Sequence, residues 1–380
     1  MSGGAAPGGG RPFASQRRAF LLAGVLMVAV ASAQAVREGA WKDPATAEAE
    51  RLPLVARSLL LAGTQSAQRA VVVGERGHVL LSESRTDWRQ ARLVPTRSTL
   101  TAVTAVGDKL WAVGHDQVII HSSDGGETWS LQHASPWTPE KADDPRASAP
   151  LLSVLFLDEN RGFAVGAYGL LMRTEDGGRN WERVDLVRER SEDEAVPAPE
   201  SEDGEEASGG VEDWLFSEED LELGEEEDPH LNAIVRTGDG SLFIAAERGA
   251  AFRSTDGGEN WERISLPYEG SMFGAIGYQG RHVLVYGLRG HVFESLDLGD
   301  TWRPLETGTE LSIMGGAPLA DGGAVLVGAN GLILTRSAGE AGFRKSVHPD
   351  GVILSAVLPI QGTRQFVTLG ENGISTYVVR

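Results

Sequence analysis

One short pattern recurs along the chain, and its spacing restricts the possible folds more than any other feature. Each copy ends in an aromatic residue, and these residues are Trp88, Trp129, Trp181, Trp261, Trp302 and Phe343. Their spacings are 41, 52, 80, 41 and 41 residues. A tight glycine turn recurs seven times in the same register, at 74–77, 114–117, 166–169, 246–249, 287–290, 328–331 and 370–373. The chain therefore holds seven units of 41 residues, with two insertions.

Each unit has the composition of four short strands. The fourth unit reads NAIVRT, LFIAAE, the glycine turn, AAFRST and NWERIS. A period of roughly 40 to 45 residues with four strands is typical of a β-propeller blade. Leucine-rich repeats are shorter, and helical solenoids require a 3.6-residue apolar period that these segments lack. The sequence predicts an all-β fold, a seven-bladed β-propeller of four-stranded blades.

The seventh unit supplies only three strands before Arg380. An unpaired outer strand favours aggregation, so an open edge is normally covered. We expect residues 51–56, RLPLVA, to add the missing fourth strand and to close the ring.

A corner motif precedes the aromatic residue in four units. Its form is Ser254-x-Asp256-x-Gly258-x-x-Trp261. Asp can accept hydrogen bonds from amides of its own turn, Gly tolerates a positive φ angle, and Trp covers the corner. The motif therefore predicts a structural corner between third and fourth strands; its Asp and Trp positions are Asp124, Trp129, Asp176, Trp181, Asp256, Trp261, Asp297 and Trp302.

This corner motif is the Asp-box, or BNR repeat, which is found in sialidases and other propellers. From about Leu52 to Arg380 the chain resembles the photosystem II stability and assembly factor family, through VVVGERGHVLLS, AVGHDQVIIHSSDGGETW, AVGAYGLLMRTEDGGRNW and TLGENG. The resemblance implies a non-enzymatic, exported propeller that helps to assemble a membrane complex. In a non-photosynthetic bacterium it implies a comparable accessory role for another membrane complex, for example an RND-type exporter.

The N-terminus has the pattern of an export signal. Arg17 and Arg18 precede an apolar run over 19–31 and small residues suited to cleavage near residue 35. The run is shorter than the roughly 20 residues of a membrane span. We expect a signal peptide over 1–35, exported by the Sec or the twin-arginine route, a linker over 36–50 and the propeller over 51–380. The expected location is the periplasm, and the expected state is a monomer without a membrane span. The chain contains no cysteine, so no disulfide stabilises it.

The charge is concentrated in one segment. The formal net charge is −20, and residues 185–229 carry 20 Asp and Glu against two arginines. The rest of the chain is nearly neutral, which gives no reason to expect a nucleic-acid partner.

Two insertions lengthen the links between units. A Pro-rich loop covers 136–150, and an acidic segment covers 187–229 that we expect to be disordered over much of its length. Within it, Trp214 and Phe216 stand among acids in VEDWLFSEEDLELG. This stretch could dock a partner, cover the propeller's own basic face or act as a solvated tether.

No catalytic constellation is visible. A sialidase needs three arginines that bind the substrate carboxylate, a nucleophilic Tyr paired with Glu, and an Asp that acts as acid/base catalyst. None of the five tyrosines stands in such a setting. The histidines lack metal-ligand spacing, and the glycine turns are periodic hairpins rather than a phosphate loop. We expect no enzyme activity, no catalytic residue, no cofactor and no metal. The alternative is a sialidase-like glycoside hydrolase or carbohydrate-binding propeller.

Three arginines mark a candidate binding surface. Arg76, Arg248 and Arg289 occupy the same position of the glycine turn in units one, four and five. Second-to-third strand turns and blade-to-blade links open on one face of a propeller. The arginines are either ordinary solubilising residues or a basic patch for an acidic or carboxylate-bearing protein segment. The predicted function is a protein-binding scaffold or assembly factor whose partner is a membrane-complex subunit.

Overall fold

The computed structural model describes residues 1, 3–4, 42–144, 146–186, 228–360 and 362–378. Most of the predicted signal peptide lies outside these ranges, and so do both Trp214 and Phe216. No helix among the described residues has the length and apolar character needed to cross a membrane.

The described residues from Pro44 onward form seven antiparallel sheets, which are the blades. Blade 1 contains β1 (Leu60–Gln65), β2 (Ala70–Gly74), β3 (Val79–Ser82) and β4 (Arg89–Gln90). Blade 2 contains β5 (Leu100–Val106), β6 (Lys109–Gly114), β7 (Ile119–Ser122) and β8 (Ser130–His133). Blade 3 contains β9 (Leu151–Phe156), β10 (Gly162–Gly166), β11 (Leu171–Thr174) and β12 (Glu182–Arg183). Blade 4 contains β13 (Leu231–Arg236), β14 (Leu242–Ala246), β15 (Ala250–Ser254) and β16 (Glu262–Ser265).

The remaining blades follow the same order. Blade 5 contains β17 (Met272–Gly277), β18 (Val283–Gly287), β19 (Val292–Ser295) and β20 (Arg303–Pro304). Blade 6 contains β21 (Ile313–Pro318), β22 (Ala324–Gly328), β23 (Leu332–Arg336) and β24 (Arg344–Val347). Blade 7 contains β25 (Leu354–Pro359), β26 (Gln365–Gly370) and β27 (Gly373–Val378). Short 3-10 turns cover Pro44–Thr46, Val55–Arg57, Glu75–Gly77, His115–Gln117, Pro139–Lys141, Leu288–Gly290 and Ala329–Gly331.

The inner strands surround a central axis. Each first strand contacts the first strand of the next blade, and β25 contacts β1, so the ring is closed. These observations confirm the seven-bladed, all-β prediction.

Burial decreases from the second strand of a blade to its outer edge. The second strands of five blades, such as β2 and β14, are buried along their whole length, and those of blades 2 and 7 are buried except at their first residue, because both faces of each blade pack on a neighbour. At the boundary between blades 3 and 4, Phe163 and Val165 pack with Leu242 and Ile244. The outer strands are short and exposed, as in β12 and β20. Apolar contact between blades is therefore the main source of stability.

The predicted closing strand does not form. Residues 51–52 have no regular secondary structure, residues 53–56 are in turn and 3-10 conformation, and blade 7 has three strands among the described residues. Pro53 has no N–H to donate to a ladder, which disfavours a strand here. Ring closure comes instead from packing between blades 7 and 1, where Leu60, Val72 and Val367 belong to one buried apolar cluster. The Ser355 hydroxyl also donates to the Leu60 carbonyl at 2.5 Å.

Candidate protein-binding face

The glycine turns and the links between blades lie on one face of the ring. In every blade, the second residue of the glycine turn donates its N–H to a backbone carbonyl at 3.0 to 3.2 Å. That carbonyl belongs to the residue just before the inner strand of the same blade. The pairs are Glu75 with Leu59, His115 with Thr99, Ala167 with Pro150, Glu247 with His230, Leu288 with Ser271, Ala329 with Ser312, and Glu371 with Ile353. We call this surface, formed by the seven turns and the adjoining links, the turn face.

The structure places the three candidate arginines at one turn position on the turn face. Arg76, Arg248 and Arg289 are exposed, with φ angles of 55°, 56° and 53°. This left-handed conformation is shared by the residue at the same position in blades 2, 3 and 6. Arg248 and Arg289 lie on adjacent blades, whereas Arg76 is separated from both of them by other blades. The structure therefore brings the arginines to one face but not to one blade boundary.

Acidic residues that precede these arginines are tied to the links. The Glu75 carboxylate accepts a hydrogen bond from the Leu59 N–H at 3.2 Å. Glu247 Oε2 lies 3.6 Å from His230 Nδ1. These contacts hold the carboxylates against the body, while the neighbouring arginines are exposed. The turn face thus presents its positive charges outward at blades 1 and 4.

The centre of the turn face is an apolar cavity that sequence reasoning missed. Each inner strand has a bulge at its second residue, and these residues are Leu61, Thr101, Leu152, Asn232, Phe273, Met314 and Ser355. Four of them line a cavity of about 420 Å³, together with Leu59, Ile353, Gly370 and Glu371. Four of the seven bulge residues are half-buried apolar side chains. The repeated register of this position in each unit was the available sequence signal.

Polar bulge residues connect neighbouring inner strands. Thr101 donates to the Leu151 carbonyl at 2.6 Å, and Asn232 donates to the Met272 carbonyl at 2.9 Å. Ser355 makes the equivalent contact between blades 7 and 1. Each bond joins two blades at the axis, so these side chains are occupied in holding the ring together.

The described parts of both insertions lie beside turns of this face. The Pro-rich loop begins next to the turn of blade 2, where Ser135 donates its N–H to the Asp116 carbonyl at 2.7 Å. Arg146, from the same loop, forms an ion pair with Asp228 at 2.7 Å. The following residue, Pro229, accepts from the Gly169 N–H in the turn of blade 3. Trp137 is 60% exposed on the loop.

The Asp-box corners lie at the opposite end of the strands. In blade 4, Asp256 accepts from the side chain of Asn260 at 2.7 Å and from its N–H at 3.0 Å. These bonds to Asn260 lower the pKa of Asp256 to about 2. The Ser254 hydroxyl donates to the same carboxylate and accepts from the Gly258 N–H at 2.8 Å. The same bonds recur at Asp124, Asp176 and Asp297. We call this opposite surface, formed by the corners and the first-to-second strand hairpins, the corner face.

The tyrosines are dispersed over the structure. Tyr286 is buried, and burial raises its pKa. Tyr278 donates to the Gly323 carbonyl at 3.1 Å, and burial raises its pKa to about 12. Tyr268 stacks on His291, and Tyr377 lies at the outer strand of blade 7. Glu371 is the one ionisable side chain among the described residues that line the axial cavity.

Comparison with known proteins gives a consistent result. The model of the BNR/Asp-box repeat matches residues 252–263. The photosystem II assembly lipoprotein Ycf48 of Prochlorococcus marinus is 32% identical over 140 residues, which are 35% of this chain and 40% of that protein. The Synechococcus protein of the same name is 31% identical over 140 residues, 34% of this chain and 40% of that protein. The match thus spans about 40% of the length of these curated relatives.

Solved structures show the same fold. A structure described as YCF48 bound to D1 peptide has a TM-score of 0.60 at 17% identity, and the match covers 90% of this chain and 98% of that one. YCF48 from Cyanidioschyzon merolae has a TM-score of 0.58 at 18% identity, over 87% and 98% of the two chains. The WD40 propeller domain of Doa1 has a TM-score of 0.59 at 11% identity, over 87% and 94%. Together with the sequence matches, these findings confirm the resemblance to the photosystem II assembly factors.

Proposed function

We propose that the protein is an exported, non-catalytic binding propeller that assists the assembly or stability of a membrane protein complex. In this proposal the turn face holds an extended, acidic or carboxylate-bearing segment of one subunit. The observation that carries the proposal is the similarity to propellers named as photosystem II assembly proteins, one of which is described in complex with a peptide.

The chemistry of the turn face supports this role. Exposed arginines can form charge-assisted hydrogen bonds with carboxylates. The apolar cavity of about 420 Å³ at the axis offers space for an apolar side chain of the same segment. The two kinds of contact therefore suit a peptide that is acidic at its flanks and apolar at one position.

Export and membrane association are part of the proposal. The twin arginines and the apolar run over 19–31 support export. The curated relatives are named lipoproteins, which supports a location beside a membrane. The client would be a photosystem subunit in a photosynthetic organism, and a subunit of a complex such as an RND-type exporter elsewhere.

The direct experiment is capture of the client by the purified full-length protein from solubilised membranes of its own organism. The test variant changes Arg76, Arg248 and Arg289 together to Glu. A matched control changes Arg179, Arg236 and Arg281, which are exposed residues toward the corner face, to Glu. We expect the first variant to lose most of the capture of a specific membrane-complex subunit and the control to retain it.

Equal capture by the two variants would refute the arginine patch. Capture of no membrane subunit by the unmodified protein would refute the assembly role. Turnover of a fluorogenic glycoside, abolished by Glu371→Gln at the axis, would replace the proposal with a glycoside hydrolase.

A further inference from the structure

The outer edge of blade 7 pairs with no further strand among the described residues. Its last described strand, β27, pairs with β26 on one side, and no described backbone group donates to it or accepts from it on the other. The 3-10 turn at Val55–Arg57 covers only the turn-face end of this strand, near Gly373. Thr376 and Val378, toward the corner face, are exposed. An edge of this kind can accept an additional strand by main-chain hydrogen bonds.

In blades 2 to 5 the Asp-box corner fills the space beside the preceding blade. A Cβ atom on Gly258 of blade 4 would lie 2.3 Å from Phe163 of blade 3 and 3.3 Å from Leu242. The next residue, Glu259, forms ion pairs with Arg161 at 2.8 Å and Arg173 at 2.9 Å. Each corner therefore locks its own blade onto the one before it.

The described residues of blade 7 include no such corner, and a groove of about 790 Å³ lies in the corresponding position. Phe366 and Thr335 line this groove. Phe366 occupies the position in its blade that Leu242 occupies in blade 4, and Thr335 occupies the position that Arg173 occupies in blade 3. Leu242 and Arg173 are two residues that the blade 4 corner contacts. The groove is thus the site that a corner of blade 7 would fill.

The lining of the groove is apolar with a basic rim. Apolar residues come from the ends of β21 and β25, including Leu319 and Ile360. Three arginines, Arg85, Arg344 and Arg364, and one carboxylate, Asp321, line it. Arg344 forms an ion pair with Glu340 at 2.8 Å, so Arg85 and Arg364 carry the basic character of the rim. Arg85 donates to two neutral acceptors, the Pro359 carbonyl at 2.6 Å and Gln65 at 2.7 Å, so its charge is not neutralised by those contacts. The groove is therefore suited to an acidic segment with an apolar side chain.

We propose that the groove and the outer edge of β27 form a second protein-binding site. Its ligand is an extended acidic segment of a partner protein, which pairs with β27 as the fourth strand of blade 7 and places an acidic turn in the groove. The site lies toward the corner face and does not depend on the turn-face proposal.

The chain itself supplies a probe with the required chemistry. A labelled peptide of residues 254–266, STDGGENWERISL, contains the corner and the fourth strand of blade 4. We expect saturable binding to the full-length protein by fluorescence anisotropy, and slower amide hydrogen exchange at residues 374–378. Arg85→Glu with Arg364→Glu should weaken binding about tenfold. A scrambled peptide of the same composition should not bind.

Strand pairing is separated from simple charge attraction by changing the peptide backbone. One peptide is N-methylated at the positions of Glu262 and Ile264, and a second at those of Arg263 and Ser265. Alternate amides of a strand face opposite sides, so one pattern should abolish binding and the other should preserve it. Equal effects of the two patterns, or no binding of the unmodified peptide, would overturn the proposal.

Two further results identify the occupant and the site. Protection of residues 374–378 without peptide, removed by deletion of residues 190–226, would show that this chain's own acidic segment takes the site and would overturn a partner ligand. The variant in which Arg76, Arg248 and Arg289 are changed to Glu should bind the peptide with the same affinity as the unmodified protein. Loss of peptide binding in that variant would place the peptide on the turn face and overturn the groove assignment.

Discussion

Arg336 donates a hydrogen bond to Glu294 at 2.8 Å across the boundary between blades 5 and 6, and both side chains are about 5% exposed. Arg336 lies on β23 at the register that Ser254 and Ser295 occupy in blades with an intact Asp-box. Blade 6 therefore replaces the hydrogen bonds of a corner with a buried ion pair to the preceding blade.

Breaking this ion pair should strongly destabilise the protein. Arg336→Ala leaves the buried Glu294 with His282 and the more exposed Arg303 as partners. Loss of one member of a buried pair costs about 3 kcal/mol of unfolding free energy. Urea unfolding at pH 7, followed by tryptophan fluorescence, measures the difference.

The matched variant for this pair is Glu294→Leu with Arg336→Met. An apolar pair of similar volume avoids the burial of an unpaired charge, so its stability should lie within about 1 kcal/mol of the original. A double variant as unstable as Arg336→Ala would show that shape at this boundary, rather than charge, determines the loss.

Acid should weaken the fold through the same carboxylate and through the Asp-boxes. Hydrogen bonds from His282, Arg336 and Arg303 hold the pKa of Glu294 well below its ordinary value, and the pKa of Asp256 is lowered to about 2. Ordinary values in an unfolded chain are about 4. A depressed pKa gives stability that is present above pH 4 and is lost as the pH falls toward 2 and below.

Urea unfolding at pH 6, 4 and 3 tests this dependence. The difference in unfolding free energy between the unmodified protein and Glu294→Gln should become smaller as the pH falls below 4. The reason is that Glu294 loses its stabilising contribution as it binds a proton, whereas Gln at this position does not titrate. A constant gap over this range would contradict the lowered pKa.

Two glycines with similar backbone angles separate corner packing from backbone strain. Gly258 has a φ of +92° and faces the Phe163 ring, whereas Gly240 has a φ of +94°, and the nearest atom to a methyl group added there would be an Arg236 nitrogen at 3.6 Å. Gly258→Ala should cost about 3 kcal/mol through overpacking and strain, and Gly240→Ala about 1 kcal/mol through strain alone. Equal losses in thermal unfolding would mean that the corner does not pack tightly on blade 3.

Client capture should depend on salt through the turn face. Exposed charges are screened as the ionic strength rises, so capture by the unmodified protein should fall between about 50 and 500 mM NaCl. In the variant with Gln at positions 76, 248 and 289, capture should be weaker at low salt and less sensitive to salt. The measurement is the amount of bound subunit at each salt concentration. Parallel salt curves for both proteins would argue against a role for Arg76, Arg248 and Arg289.

Most of the fold could be predicted from the sequence because each blade is specified locally. The register between turn glycine and corner tryptophan repeats along the chain, and the strands between them pair with their neighbours in sequence. The failed prediction concerned a long-range contact: residues 51–56 had to pair with β27, more than 300 positions away. That strand does not form because residues 53–56 turn at the turn-face end of blade 7, and because Pro53 has no N–H to donate to a ladder.

The candidate surfaces were only partly predictable. The shared turn position of Arg76, Arg248 and Arg289 was visible in the repeat, but their placement on blades 1, 4 and 5 does not create a single cluster. The axial cavity depends on the bulge in each inner strand, which places residues such as Leu61 and Met314 at the axis. The groove beside blade 7 lies at the position that an Asp-box corner fills in blades 2 to 5, and no sequence motif marks it.

Site-specific photo-crosslinking tests the proposal that clients bind the turn face. A photoreactive residue is placed at Tyr168 or Asn330, which hold the same turn position as the arginines, or at Arg179 or Arg281 toward the corner face. Binding at the turn face should give crosslinks to one membrane-complex subunit from the turn-face positions and none to that subunit from the other two. Crosslinks to the same subunit from the corner-face positions alone would contradict it.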